Sequence, residues 1–149
     1  MRDILFRGKG VGSFQWCYGQ LVQCPDSVSG WALAKEHYLD QSEWNIYACD
    51  YSEVLHDTIG QYTGLTDYFN DPVYEHDIIE EDGFYGVIKY GSHAPHTSQS
   101  EETAVGFYVE WQGDKDGIFR NDIGYWLTIR QCAIRGNIFD NPNLLEVRK

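Results

Sequence analysis

The chain has 149 residues, a length that suits one domain or two small lobes sharing a core. Trp, Tyr and Phe make up 15 % of it, which a disordered chain would not carry. Lys and Arg number 11 against 23 Asp and Glu, and the resulting charge of −12 disfavours direct binding to nucleic-acid phosphates or to an anionic membrane.

No apolar run approaches the ~18 residues of a spanning helix. The opening Met1 to Arg7 is too short and too charged for a signal peptide, so the expectation is a soluble, cytosolic protein.

Period-two alternation, the mark of a strand with one buried face, dominates the chain. It begins at Ile4 and Phe6 and returns at Phe14, Trp16 and Tyr18. Between them Gly8-Lys9-Gly10-Val11-Gly12-Ser13 has the look of a phosphate cradle. The pattern fails, because Gly8-Lys9 is followed by Gly10 and then by a strand, whereas a nucleotide loop needs Ser or Thr and a helix. A hairpin turn is the better reading.

Trp31 to Leu39 has helical propensity but sits where a hairpin partner of Leu21-Val22 is expected. Trp44, Ile46 and Ala48 alternate again. Phe84 to Tyr90 is continuously apolar, as in a strand covered on both faces. Ser92 to Glu102 reads as a mobile surface loop. Val105, Phe107, Val109 and Trp111 give the cleanest alternation, and Tyr125, Leu127 and Ile129 follow the same rule. Asn141-Pro142 suits a short helical turn with Asn141 as its cap. Turns every 8–15 residues fit antiparallel meanders and a small barrel.

Chemical motifs are sparse. The cysteines Cys17, Cys24, Cys49 and Cys132 form no C-x-x-C pair, and they read as reduced, partly buried thiols. Among the histidines, His93 and His96 flank Pro95, which excludes a shared helical face and leaves a solvated loop. Asp77, Glu80, Glu81 and Asp82 cluster around a strand. Asp77 and Glu81 could share one face and, with His76, hold a metal ion; the competing reading is charges solvated at a strand end. Asp114-Lys115-Asp116-Gly117 lacks the spaced ligands of a calcium loop and reads as a turn. The serines have no nucleophile context. Trp16, Trp44, Trp111 and Trp126 are expected in the core, and any facing outward would form a partner surface.

Four segments carry a resemblance. Gln61-Tyr62-Thr63-Gly64-Leu65-Thr66-Asp67 with Val73-Tyr74-Glu75-His76-Asp77-Ile78-Ile79 is similar to the hallmark of the YopX family of phage and prophage proteins, "Q-Y-T-G-L-K-D-K-N-G-K-E-I-Y-E-G-D-I-V". Ile134 to Leu145 resembles its closing "V-I-G-N-I-Y-E-N-P-E-L-L", Arg2 to Lys9 its opening "R-E-I-K-F-R-G-K", and Gln15 to Gly19 its "E-W-V-Y-G". This chain has Asn70-Asp71 for the family's "N-G" and Glu75-His76-Asp77 for its "E-G-D". If the backbone needs a positive φ there, Asn, Asp or His must supply it.

The resemblance implies a mainly β fold, with α+β as the alternative. It has antiparallel strands and an SH3-like barrel over about Tyr74 to Phe139. Residues 1–66 would be strands packed on a barrel part spanning 67–149, and residues 31–39 become a strand. It brings no assigned activity, so no catalytic, cofactor-binding or metal residue and no cofactor is expected. Tyr62, Gly64, Tyr74, Asp77, Gly136 and Asn137 are read as structural, with Asp77 capping backbone N–H groups at the barrel entry.

The leading functional expectation is a non-catalytic binding or accessory protein with an unknown protein partner. The alternatives are an acidic modulator or DNA mimic acting on a nucleic-acid-binding protein, and a metal-dependent hydrolase using Asp77, Glu81 and His76. Exposed strand edges allow a homo-oligomer.

Overall fold

The computed structural model describes residues 4–40 and 45–146. The chain folds as two compact units, Met1–Tyr62 and Thr63–Lys149.

In the first unit, β1 (Phe6–Lys9) pairs antiparallel with β2 (Trp16–Gln23), β2 with β3 (Trp31–Asp40) and β3 with β4 (Asn45–Glu53). The other edge of β1 takes the start of β5 (Gly60–Thr66), with Phe6 opposite Gln61. Residues 31–39 are therefore a strand, as the resemblance implied. Of the alternating Trp44, Ile46 and Ala48, the last two lie in β4, and Trp44 is outside the described residues.

The glycine-rich segment after β1 is a hairpin turn. Lys9 faces Trp16, Gly10 N–H donates to Gln15 O at 2.9 Å, and Phe14 takes a left-handed φ of 56°. Here the chain runs tight: a Cβ on Gly8 would lie 3.1 Å from Val54 Cβ, so a larger residue there needs the buried Val54 to give by a few tenths of an ångström. Thr58 Oγ1 accepts the Lys9 N–H at 2.8 Å and donates to Leu55 O at 2.7 Å, fixing the short helical turn His56–Thr58 beside β1.

The second unit holds the remainder of β5, the short β6 (Pro72–Tyr74) beside it, and a four-stranded antiparallel sheet. The order in that sheet is β10 (Ile134–Asn137), β7 (Asp77–Glu81), β8 (Phe84–His93), β9 (Ala104–Trp111). The fold is mainly β and antiparallel, as expected. The sheet's pairings leave β10 and β9 as its outer strands, an arrangement of four strands in a row.

Its core gathers Val73, Ile79, Ile88, Val109, Trp111, Trp126, Leu127 and Cys132. Burying several side chains of this size contributes roughly 1.5–3 kcal/mol each. β8 is covered on both faces only in its middle, where Gly86, Val87 and Ile88 are buried in succession, while Phe84 and Tyr90 stand exposed. β8 also extends through Ser92 and His93, which pair with Val105 and Ala104, so the connecting loop is shorter than the polar composition suggested.

Tyr125 to Ile129 is the clear departure. Expected as a strand, it is a π-type helical turn, closed by Arg130 N–H donating to Tyr125 O at 2.9 Å. The alternation was misleading because the adjacent Trp126 and Leu127 are both buried, which a strand cannot arrange on one face. Trp126 Nε1–H anchors the turn on Arg120 O at 2.7 Å, the same carbonyl that receives Trp111 Nε1–H at 3.1 Å. Pro142–Leu145 is a helical turn led by proline with Asn141 at its N-cap position, as expected, but the Asn141 side chain makes no cap hydrogen bond to the turn: its Oδ1 accepts the Asn137 N–H at 3.2 Å.

Two turns of the second unit rest on single residues. Asp67, buried, accepts three backbone N–H groups: Phe69 at 3.0 Å and Asp71 at 2.9 Å on one oxygen, Ile134 at 2.9 Å on the other. His76 holds φ at 75° because both its backbone groups are engaged, its N–H with Ile88 O at 2.8 Å and its carbonyl with Ile138 N–H at 3.0 Å. Asn70 also has a positive φ, 67°. Both departures from the family's glycines thus fall in turns with left-handed backbone, at His76 itself and at the residue before Asp71.

Replacing Asp67 by Ala should cost about 2–3 kcal/mol in urea unfolding, because buried donors lose their acceptor. At residue 76, His76→Gly should be more stable than His76→Ala by about 0.5–1 kcal/mol, since glycine relieves the left-handed strain that alanine keeps. The reverse order in thermal unfolding would contradict the strain.

Candidate functional site

The acidic cluster singled out in the sequence does not converge. Asp77 is 1 % exposed and its Oδ2 accepts the Tyr74 N–H at 2.8 Å, the capping role expected of it. Glu81 ends the same strand four residues away, on the order of 13 Å along it. Its carboxylate takes Arg130 Nε–H at 2.8 Å and the Cys132 thiol at 3.3 Å. Glu80 pairs with Arg135 at 3.2 Å. The His76 ring meets Phe139 edge-on, centroids 5.2 Å apart. Among the described residues, no group of three or more His, Cys, Asp or Glu side chains could hold a metal ion.

Asp114 accepts the Ile118 and Phe119 N–H groups at 3.0 and 3.1 Å, which makes its segment the expected turn. Asn137 Oδ1 accepts Phe139 and Asp140 N–H at 3.0 and 2.9 Å. A Cβ on Gly136 would collide with the Asn141 side chain, so the tail motif is a backbone staple.

These polar signature residues serve the backbone, and a different kind of surface is exposed on the outer half of the β8–β9 hairpin. There the two faces differ. On one, Ile88 and Val109 sit in the core, and the next positions on the same face are Tyr90 opposite Phe107 and Ser92 opposite Val105. Tyr90 is 55 % exposed and Val105 72 %, with Tyr90 and Phe107 rings in edge contact at 5.0 Å. The core-facing side of the hairpin thus runs past the core into solvent.

On the other face, His93 stacks on Tyr108 with centroids 4.8 Å apart and planes 16° from parallel, and Lys89 pairs with Glu110 at 2.9 Å. His93 Nδ1 lies 3.1 Å from Gly91 O, where it donates. The His93 and Tyr108 rings line an open cleft of about 300 Å³ with Ser98, Asp114 and Asn121. Asn121 Nδ2 donates to Ala94 O at 3.1 Å and holds the 94–103 loop over it. His96, expected to be a solvated loop histidine, is exposed, with its Nε2 3.1 Å from exposed Glu102.

Basic residues do gather in the first unit. Arg7 lies 4.5 Å and Lys9 5.3 Å from the Trp16 ring, with Tyr18 across from Arg7. Arg7 is buried, so this cluster is part of the packing and gives no phosphate-binding stripe.

A family model described as YopX protein matches residues 5–146. This chain belongs to the YopX family. The crystal structure of protein EF1440 from Enterococcus faecalis is similar over 98 % of this chain and 100 % of that one, with a TM-score of 0.54 and 19 % identity, which bears on the fold alone. No curated protein matches the chain. Among the described residues no helix is long and apolar enough to cross a membrane.

In YopX terms, the hallmark "Y-E-G-D" spans the turn that joins β6 to β7, and "G-N" forms the end of β10, where Asn137 holds the turn that follows. Sequence reasoning missed Asp67 and the Tyr90–Val105 face. Asp67 lies within the hallmark motif, where nothing in the residues around it marks its role. The second belonged to the alternating run, but nothing in that run marks where along β9 the core stops.

Among the described residues, Cys132 shows a large shift in acidity. Burial, then the hydrogen bond to Glu81 and its negative charge, push the thiol up to about 12, against a smaller opposing pull from Arg130. A thiol raised from 9.0 to about 12 keeps its proton in the native state across that range. Its contribution to stability is present below pH 9 and fades as pH climbs towards 12. Native protein at pH 8 should leave Cys132 unmodified by iodoacetamide while urea-unfolded protein reacts. Glu81→Gln should raise the native rate at pH 9.5, read by peptide mass spectrometry.

Proposed function

We propose that this YopX protein is a phage-derived, non-catalytic binding module, working in a bacterial cytoplasm, whose contact surface is the outer β8–β9 hairpin. The observation that carries this is the continuation of the hairpin's core-facing side into solvent at Tyr90 and Val105. Exposed apolar side chains scattered singly need no explanation, and Val28 in a first-unit turn is such a case. Tyr90, Phe107 and Val105 are instead adjacent, and they are held on paired strands. An aromatic anchor flanked by aliphatic surface on a rigid support is the composition from which binding hot spots are built. The polar residues of the family motifs support this reading because they are spent on turns.

The test places a photo-crosslinking side chain at Ser92, which shares the Val105 face, or at Val28 as an exposed control, in extract of the bacterial host. A discrete adduct is expected from residue 92 and not from residue 28, and Tyr90→Ser in the same chain should remove it. Equal labelling from both positions, or an adduct indifferent to Tyr90→Ser, would count against the hairpin as the contact surface.

A further inference from the structure

Resting on that reading, the backbone of β9 says what form the partner takes. Val109 N–H donates to Asn121 O at 2.8 Å, outside the sheet. The register with β8 is unbroken from Trp111 back to Ala104, so residues 105 and 107 turn their backbone groups to the same outer side as Val109. Residues 119–122 cover that side beside the end of β9, through the Asn121 contact, the Tyr108–Asp122 bridge and the Trp111 bond to Arg120 O. At Val105 the covering has stopped: among the described residues, no backbone partner lies outside the strand there. An unpaired strand edge and the exposed Val105 side chain therefore meet at one residue.

We infer that the β9 edge at Val105 binds an extended, cationic peptide segment of another protein by strand addition. Two observations select this occupant. An outward N–H and carbonyl on a strand are matched by another strand, with alternate side chains resting on the neighbouring face, here Phe107 and Val105. The approach to the edge is acidic: Glu101 and Glu102 are exposed three and two residues before β9, Glu102 beside the His96 ring at 3.1 Å, on a chain of net charge −12. That charge opposes a second copy and attracts a basic segment.

The probe is the acetylated, amidated hexapeptide Lys-Val-Thr-Val-Lys-Val, titrated into 15N-labelled full-length protein. Shifts should concentrate at Val105 and its neighbours on β8 and β9. Val105→Pro removes the outward N–H together with the valine side chain, which an edge strand tolerates; it should weaken binding by about tenfold or more relative to Val105→Ala, which keeps that N–H, with an unchanged melting temperature. Should that variant misfold, the same peptide N-methylated at alternate residues blocks pairing from the ligand side and should bind as weakly. The Glu-for-Lys peptide should also bind more weakly.

Absent binding, shifts away from β9, or insensitivity to both blocks would overturn the proposal. Equal affinity of the anionic peptide would overturn its cationic part. Concentration-dependent dimerisation lost in Val105→Pro, without peptide binding, would replace the foreign segment by a second copy. Loss of the Ser92 adduct with Tyr90→Ser but not with Val105→Pro would leave the binding module standing and remove strand pairing.

Discussion

The second unit is organised by short polar side chains that accept backbone N–H groups where strands end. Asp67 fixes the turn after β5 and reaches across to Ile134 at the start of β10. Asp77 receives Tyr74 N–H at the start of β7. Asn137 closes the exit from β10. A strand end leaves donors without ladder partners, and burying one unmet costs about 1–3 kcal/mol. Side chains one to three bonds long meet that need locally, and they do so only with the turn in one geometry. The sheet's register follows from these fixed ends, and so does the placement of Ile79, Ile88 and Val109 in the core.

This constraint also separates structure from function in the family's motifs. A cluster of Asp, Glu and His attracts a metal or acid–base reading, yet here four of its members face different partners. Asp77 turns to a backbone amide, Glu81 to Arg130 and Cys132, Glu80 to Arg135, and His76 to Phe139. An exposed apolar surface lies on the hairpin. The proposed binding role draws on its side chains, and the proposed strand-shaped partner draws on its backbone.

Much of this was legible before any coordinates. Alternation located β2 and β9, the failed nucleotide pattern left a hairpin between β1 and β2, and the missing glycines at 70–71 and 75–77 pointed to turns where Asn70 and His76 do hold positive φ. The helical Tyr125 to Ile129 was not legible, because its apolar spacing fits a strand equally well. What decides it is the distant carbonyl of Arg120 receiving the Trp126 indole. Asp67 left no trace because hydrogen bonds to main-chain amides have no sequence period. The exposed face at Tyr90 and Val105 was hidden for a related reason: alternation tells which side of a strand is apolar, and says nothing of how far the neighbouring layer extends along it.

The shared carbonyl of Arg120 has an optical consequence. Trp111 and Trp126 stand 4.7 Å apart, tilted by 64°, with both indole N–H groups fixed on one oxygen. Two chromophores so close and so rigid couple their transitions, whereas Trp16 in the first unit lies against Arg7 and Lys9. The second unit therefore carries its own near-ultraviolet dichroic signature, through which its melting can be followed apart from that of the first.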